Sequence, residues 1–131
     1  GWDVEAWVVL PNHYHVIATA PRNGNRIREV VQELHMRTAK RINELDACPG
    51  RQVWFQYWDT CISFEASLYS RMRYVMMNPV KHGLVVDETD YPWGCSWWFA
   101  RNMEPTLLRR IRSYRCDRLK VVDRFLDEGG P

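Results

Sequence analysis

A Pro-Asn break at residues 11–12, set between two β-prone runs, limits the folds open to this chain more than any other feature. Residues 4–10 and 13–20 are rich in β-branched and aromatic side chains, and so short a connection predicts an antiparallel hairpin. His13 and His15 open the second run, and residues i and i+2 of a strand point to one face. The two imidazoles are therefore expected to project together as a divalent metal requires, although most such pairs are ordinary surface or core histidines.

Two helices are predicted after the hairpin, with an aromatic segment between them. Residues 26–45 carry apolar side chains at helical spacing, with Asn23 or Asn25 as the expected N-cap, and their apolar stripe is expected to pack on the sheet. His35 within this helix is interpreted as structural. Residues 53–62 are dense with aromatic rings and are interpreted as a third strand or an extended arm. The apolar stripe consists of Ile27, Val30, Val31, Leu34, Ile42 and Leu45.

The second predicted helix covers residues 64–77, with Ser63 as a partial cap. Pro79 is expected to end or kink it, because proline lacks an N–H and disfavours helix in the preceding residue. Tyr74 and Asn78 are four residues apart, so their side chains are neighbours on one polar flank, which Ser67 and Arg71 share. The buried stripe is expected to consist of Phe64, Leu68, Met72 and Val75.

These polar residues combine into a candidate active site. A hard divalent cation such as Mg²⁺ or Mn²⁺ accepts imidazole nitrogen and amide oxygen, so His13, His15 and Asn78 are candidate ligands that leave positions open for phosphate oxygens. Tyr74, one helical turn from Asn78, would then lie beside a metal-bound phosphate. A polarised phosphate compensates for the weak nucleophilicity of a tyrosine hydroxyl. The predicted chemistry is attack by Tyr74 to give a covalent phosphotyrosine.

The composition argues against a disordered chain and against a membrane span. With 131 residues, 46% of them hydrophobic, and seven Trp, the chain is expected to form a folded domain rather than a disordered segment. No apolar run approaches the length of a membrane span. The net charge is only +2, yet fifteen Arg against three Lys favour phosphate contacts. The cysteines lack C-x-x-C spacing and predict reduced thiols in a cytoplasmic protein; they are Cys48, Cys61, Cys95 and Cys116.

The C-terminal region is basic. Seven Lys or Arg lie between Arg109 and Arg124, and Pro105 suits the first position of a helix, so residues 101–131 are interpreted as an extension of two short helices behind a catalytic domain at residues 1–100. Its basic faces are expected to hold DNA phosphates, or to pack over the sheet with their charges in water. The candidate DNA contacts in the whole chain are Arg71, Lys81, His82, Arg109, Arg110 and Arg112.

Three blocks in this order resemble one family. The blocks are Leu-Pro-Asn-His-Tyr-His at residues 10–15, Tyr-Val-Met-Met-Asn-Pro-Val-Lys-His-Gly-Leu-Val at residues 74–85 and Tyr-Pro-Trp-Gly-Cys-Ser at residues 91–96. Together they resemble the REP-associated tyrosine transposases, which are HUH enzymes with one catalytic tyrosine that act on single-stranded DNA. The resemblance implies a ferredoxin-like α+β sandwich, an antiparallel sheet with helices on one face. It also implies a Tyr74 nucleophile and single-stranded or hairpin DNA, such as REP-like palindromes, as the partner.

The chain departs from the family at several places. Tyr14 stands between the histidines where a bulky aliphatic is usual, and Gly94 stands where Ser is expected. Tyr14 and Tyr69 are rival nucleophiles, but neither has the i, i+4 relation to Asn78. The strand and helix that normally precede residue 4 are expected to be missing. A monomer or a homodimer is expected, the dimer if the sheet edge is exposed.

Two other functions compete with the transposase. A non-catalytic module that binds structured DNA or RNA would use the same aromatic rings for stacking and would be indifferent to metal. A relaxase or replication initiator would use the same two-histidine strand, but such enzymes usually have longer chains or a second tyrosine.

Overall fold

The computed structural model describes residues 1–24, 26–119 and 121. Within them the chain is α+β, as predicted. Its contacts define two compact units, one formed by Gly1–Asp3 and Ala20–Thr60, the other by Val4–Thr19 with the described residues of Cys61–Pro131. The elements in chain order are β1 (Asp3–Val9), β2 (Tyr14–Thr19), α1 (Ile27–Leu45), α2 (Glu65–Lys81), a 3₁₀ turn (Glu88–Asp90), α3 (Ser96–Asn102) and α4 (Pro105–Arg112).

Strands β1 and β2 form the predicted hairpin, a two-stranded antiparallel sheet in the described part of the chain. Side chains alternate along β1, so that Ala6 and Val8 are buried while Val9 is 52% exposed. The turn is closed by a 2.8 Å hydrogen bond from the Leu10 N–H to the His13 carbonyl. His13 therefore lies just before β2, where the turn fixes its backbone.

The second edge of β1 is paired with residues 93–95, which the sequence pattern did not predict. The Val9 N–H donates to the Trp93 carbonyl at 2.7 Å, and the Cys95 N–H donates to the Trp7 carbonyl at 2.9 Å. Between them, Gly94 lies opposite Val8 in an antiparallel bridge. A Cβ at residue 94 would approach the Val8 side chain to 3.3 Å, so glycine suits this close pairing.

The core of the second unit lies between the hairpin and α2, α3 and α4. Burial of this apolar surface is the main favourable contribution to its stability. The Cys95 thiol is deeply buried there, and burial raises its pKa to about 11. The core consists of Ala6, Val8, Leu10, Ile17, Met72, Val75, Met76, Tyr91, Cys95, Phe99, Leu108 and Ile111.

Helix α2 continues through Pro79 to Lys81, so the prediction that it stops at residue 77 is wrong. Its end is set instead by Gly83, whose φ of +71° is the left-handed conformation that glycine adopts readily. The Gly83 N–H donates to the Val80 carbonyl at 3.0 Å and the Leu84 N–H to the Pro79 carbonyl at 2.9 Å. This pair of bonds is a Schellman motif, which satisfies the last carbonyls of the helix.

The start of α2 also differs from the prediction. Phe64, not Ser63, is the N-cap residue, and it makes no side-chain capping bond. Phe64 is 65% exposed, so its assignment to the buried stripe is wrong. Met72 and Val75 are buried as expected, and Leu68 packs against the core.

Helix α1 has nearly the predicted bounds, but its capping and burial differ. Arg26, rather than Asn23, is the N-cap, and its backbone N–H donates to the Glu29 carboxylate at 3.3 Å; Asn25 lies outside the described residues. Leu34 and Leu45 are 42% and 68% exposed, so the predicted stripe is only partly covered. Its packing on the sheet stays a prediction.

Residues 53–62 form an arm and not a strand, and two of its rings, those of Trp54 and Tyr57, contact α1. Trp54 stacks on His35 with ring centroids 4.6 Å apart and donates through Nε1 to Thr38 Oγ1 at 2.8 Å. Tyr57 meets the other side of His35 edge-on at 6.2 Å. The predicted structural role of His35 is therefore to pack against the rings of Trp54 and Tyr57.

Helix α4 begins with Pro105 at its first position, as predicted, after a Glu104 cap. The second C-terminal helix was predicted where most residues lie outside the described part, and the boundary at residue 100 stays a prediction. All four cysteines are free thiols. Across the described residues, each helix is too short or too polar to cross a membrane.

Candidate active site

The hairpin places the rings of His13 and His15 side by side. Their centroids are 5.2 Å apart and their planes are perpendicular. The Nε2 atom of each ring exposes less than 1 Å² to solvent. The predicted convergence of the two imidazoles is therefore present, although His13 precedes the strand rather than lying in it.

A neighbouring amide fixes the tautomer of His13. Nδ1 of His13 lies 2.7 Å from Oδ1 of Asn12. Because an amide oxygen only accepts, the ring must donate through Nδ1, and in the neutral imidazole Nε2 then carries the lone pair. Metal-binding histidines are commonly oriented by such a bond at the opposite nitrogen.

Helix α2 packs against β2 and brings two further residues to the histidines. The Tyr74 ring meets the His15 ring edge-on, with centroids 5.5 Å apart. Tyr74 is only 7% exposed and Asn78 is fully buried. The Oδ1 atom of Asn78 exposes less than 1 Å². Two residues of the predicted polar flank of α2, Tyr74 and Asn78, are thus buried, and Tyr74 lies against the hairpin.

Two residues that the sequence suggested as DNA contacts lie at this site. Lys81 Nζ donates to the Tyr74 hydroxyl oxygen at 3.1 Å and lies 4.8 Å from the centre of the same ring. The His82 ring is 5.6 Å from the His13 ring. The available signal for Lys81 was its spacing of seven residues from Tyr74, which returns to the same helix face.

Two other suggested DNA contacts make weak local bonds. Arg71 Nε donates to Ser67 Oγ at 3.3 Å within α2. Arg109 Nη2 donates to Thr106 Oγ1 at the same distance within α4. Neither geometry distinguishes a DNA contact from an ordinary surface arginine, so both assignments stay predictions.

Arg110 and Arg112 of α4 are paired with carboxylates. Arg110 forms an ion pair with Glu65 at the start of α2 and lies 5.4 Å over the Tyr69 ring. Arg112 Nε is 3.3 Å from Glu88 Oε1. Part of their charge is therefore already balanced within the protein.

The donor set suits a divalent cation only if the Asn78 amide takes part. Among the residues that the structure describes, no three His, Cys, Asp or Glu side chains are grouped to hold a metal, so His82 does not complete an all-histidine centre. The candidate ligand atoms in the described residues are therefore two imidazole nitrogens and one amide oxygen, each exposing less than 1 Å² to solvent.

Comparison with known proteins finds homologues of the chain. No protein-family model matches it. A REP-associated tyrosine transposase of Escherichia coli (strain K12) is 30% identical over 97 residues, which are 70% of this chain and 53% of the relative. A solved REP-associated tyrosine transposase bound to a REP hairpin is 29% identical, with a TM-score of 0.65 over 79% of this chain and 61% of the other. The chain is homologous to the REP-associated tyrosine transposases.

The resemblance predicted from the three sequence blocks is thus confirmed, together with the α+β fold. A putative REP-associated tyrosine transposase of Haemophilus influenzae (strain ATCC 51907 / DSM 11121 / KW20 / Rd) is 25% identical over 103 residues, 70% of this chain and 57% of the relative. The chain spans a little over half the length of the curated transposases that it matches.

Proposed function

We propose that this chain cleaves and rejoins single-stranded or hairpin DNA through a 5′-phosphotyrosine at Tyr74. The observation that carries the proposal is the packing of α2 on β2, which brings the Tyr74 ring to 5.5 Å from His15 and buries Asn78 on the same side of the helix. Hairpin DNA is proposed as the substrate because the homologous transposase of known structure is bound to a REP hairpin. Its proposed setting is the cytoplasm, in keeping with four free thiols.

His13, His15 and Asn78 are the proposed ligands of Mg²⁺ or Mn²⁺. The His13 tautomer set by Asn12 presents the Nε2 lone pair that a metal requires. When bound, the ion would polarise the scissile phosphate and neutralise its charge. The protein then contributes mainly by positioning the tyrosine against that phosphate.

The covalent step exchanges one phosphodiester bond for another. The Tyr74 hydroxyl oxygen forms a bond to phosphorus, and the bond from phosphorus to the 3′ oxygen breaks. The tyrosine hydroxyl gives its proton to solvent, and the 3′ oxygen takes a proton from solvent. Rejoining reverses these changes with a 3′-hydroxyl as the attacking group. Bond number is conserved, so the exchange needs no external energy source.

Covalent capture tests the proposal. The protein is mixed with a labelled hairpin oligonucleotide carrying a single-stranded flank, with Mn²⁺ or Mg²⁺, and denatured before electrophoresis. We expect a labelled protein–DNA band from the wild type, none from Tyr74→Phe, and none from the wild type in EDTA. Hairpin binding by Tyr74→Phe, measured by fluorescence anisotropy, should remain within about threefold of wild type, because a single hydroxyl is removed.

Matched variants separate chemistry from folding. Tyr69→Phe removes a hydroxyl from the same helix and should be captured like wild type, since that ring packs on Tyr114 instead of the histidines. His15→Ala should lose capture, whereas His35→Ala, in the other unit, should keep it. Capture that persists in Tyr74→Phe or in EDTA contradicts the proposal. Metal-indifferent binding without any capture indicates the non-catalytic nucleic-acid module.

A further inference from the structure

We propose that Lys81 is a catalytic residue that holds the Tyr74 hydroxyl and stabilises negative charge on its oxygen. This inference rests on the proposed function of Tyr74. Lys81 donates to the oxygen atom that would form and break the bond to phosphorus, at 3.1 Å. A charged donor aimed at a site of developing charge is among the strongest contributions that an enzyme makes to a transition state.

The lysine and the tyrosine are joined by two contacts. Besides the hydrogen bond, the ammonium lies 4.8 Å from the centre of the Tyr74 ring, within the range of a cation–π interaction. The tyrosine is only 7% exposed, so most of its side chain is enclosed by protein. The two contacts together restrain the phenol in one orientation.

The path of α2 determines this placement. At about 100° per residue, positions i, i+4 and i+7 lie within about 60° of one another on a helix. Tyr74, Asn78 and Lys81 have this spacing, and α2 continues through Pro79 to include all three. Lys81 as a whole is an exposed residue, whereas Tyr74 and Asn78 are buried, so it lies at the solvent end of this row.

In both cleavage and rejoining, Lys81 acts as a hydrogen-bond donor. It donates to the Tyr74 oxygen, and the tyrosine proton leaves to solvent while the oxygen bonds to phosphorus. In the reverse step the Tyr74 oxygen leaves phosphorus with an electron pair, and the ammonium stabilises that oxygen until solvent returns a proton. Both directions should therefore depend on Lys81.

Single-turnover kinetics at saturating hairpin DNA test this role. We expect Lys81→Gln to lower the cleavage rate roughly 30- to 300-fold while the hairpin Kd changes less than about threefold, in line with the loss of a donor to developing charge. Lys81→Arg, which keeps a charged donor, should recover part of the rate. Lys40→Gln makes the same change on α1, outside the site, and should cleave like wild type.

A second measurement reports the contact without activity. The chain has three lysines, so the ¹⁵Nζ signals of its ammonium groups are few. In NMR spectra without metal or DNA, the Lys81 signal should shift and exchange faster in Tyr74→Phe but not in Tyr69→Phe. An unchanged Lys81 signal in Tyr74→Phe overturns the contact on which the inference rests.

The outcomes separate the inference from the proposed function. If Tyr74→Phe abolishes capture and Lys81→Gln cleaves at the wild-type rate, only the role of Lys81 fails. If the whole defect of Lys81→Gln lies in the hairpin Kd, Lys81 is a phosphate-binding residue and the inference is wrong. If the wild type forms no covalent complex, or Tyr74→Phe still forms it, the proposed function fails first.

Discussion

Helices α1 and α2 have similar lengths, 19 and 17 residues, yet they are buried to very different extents. Among the residues of α1 only Asn43 is buried, held by bonds to the carbonyl and the Nε of Arg51. Helix α2 is covered by β2, the 3₁₀ turn and α4. Its buried residues are Met72, Tyr74, Val75, Met76, Asn78 and Pro79.

The comparison shows that apolar spacing predicts a helix but not the number of sides on which it is covered. Helix α1 has one apolar stripe and an arm attached through its rings, which is enough to order it. Helix α2 is covered on more than one side, so Tyr74 and Asn78 of its polar flank are buried as well. Enclosure removes water from Tyr74 and Asn78, and electrostatic interactions there become stronger than they would be on a surface.

The largest expected difference comes from one substitution made in both helices. Met76 is 1% exposed in α2 and Met36 is 65% exposed in α1. Met76→Ala should lower the free energy of unfolding by about 2–4 kcal/mol, because it leaves a cavity in a packed core. Met36→Ala should change it by less than about 0.5 kcal/mol. Urea denaturation followed by circular dichroism measures both, and equal losses would contradict the comparison.

Much of the second unit could be predicted because the signals were local. The Pro-Asn break between β-prone runs predicts the hairpin, and its period of two brings His13 and His15 together. The i, i+4 spacing of Tyr74 and Asn78 predicts a shared helix face. These relations depend on backbone geometry within a few residues, which the sequence specifies directly.

The missed features depend on contacts between distant residues. Pro79 locally disfavours helix, yet the buried helix continues until Gly83 supplies a left-handed cap, and ending α2 early hid the position of Lys81. The aromatic run at residues 53–62 has the composition of a strand, but Trp54 is held by His35 and not by a sheet. His35 lies 19 residues before Trp54, and the elements that cover α2 come from other parts of the chain.

Ion pairs of α1 and α2 are expected to differ in their contribution to the free energy of unfolding by an intermediate amount. Glu88 contacts Arg73 of α2 at 2.8 Å, with side chains 10% and 18% exposed, and also contacts Arg112. Glu33 contacts Arg37 within α1 at 2.7 Å, but these side chains are 53% and 75% exposed. Glu88→Gln should cost about 2 kcal/mol, because a mostly buried arginine loses its partner charge. Glu33→Gln should cost about 0.3 kcal/mol.

Salt provides the control for this pair. Raising NaCl to 1 M should weaken the exposed pair and leave the enclosed one largely intact, since the Debye length falls to about 3 Å. The measurement is the difference in unfolding free energy between each variant and wild type at low and high salt. A Glu88→Gln cost no larger than that of Glu33→Gln would show that the enclosure of α2 does not extend to its ion pairs.

The smallest expected effect is a pH dependence in α1. Burial against the Trp54 ring lowers the pKa of His35 from its usual 6.5. Above about pH 6.5 His35 is neutral in both the folded and the unfolded chain, so its packing contributes fully to the free energy of unfolding. As the pH falls through about 6.5 toward the folded-state pKa, the unfolded chain binds the proton first, and the stability contribution is lost.

His35→Phe, which keeps a ring but cannot titrate, should remove this part of the decline in stability. Subtracting unfolding free energies of the variant from those of wild type between pH 7.5 and 5 isolates His35 from the other histidines. A difference that stays flat, or that grows in favour of wild type on acidification, would show that the arm leaves His35 as hydrated as a surface residue.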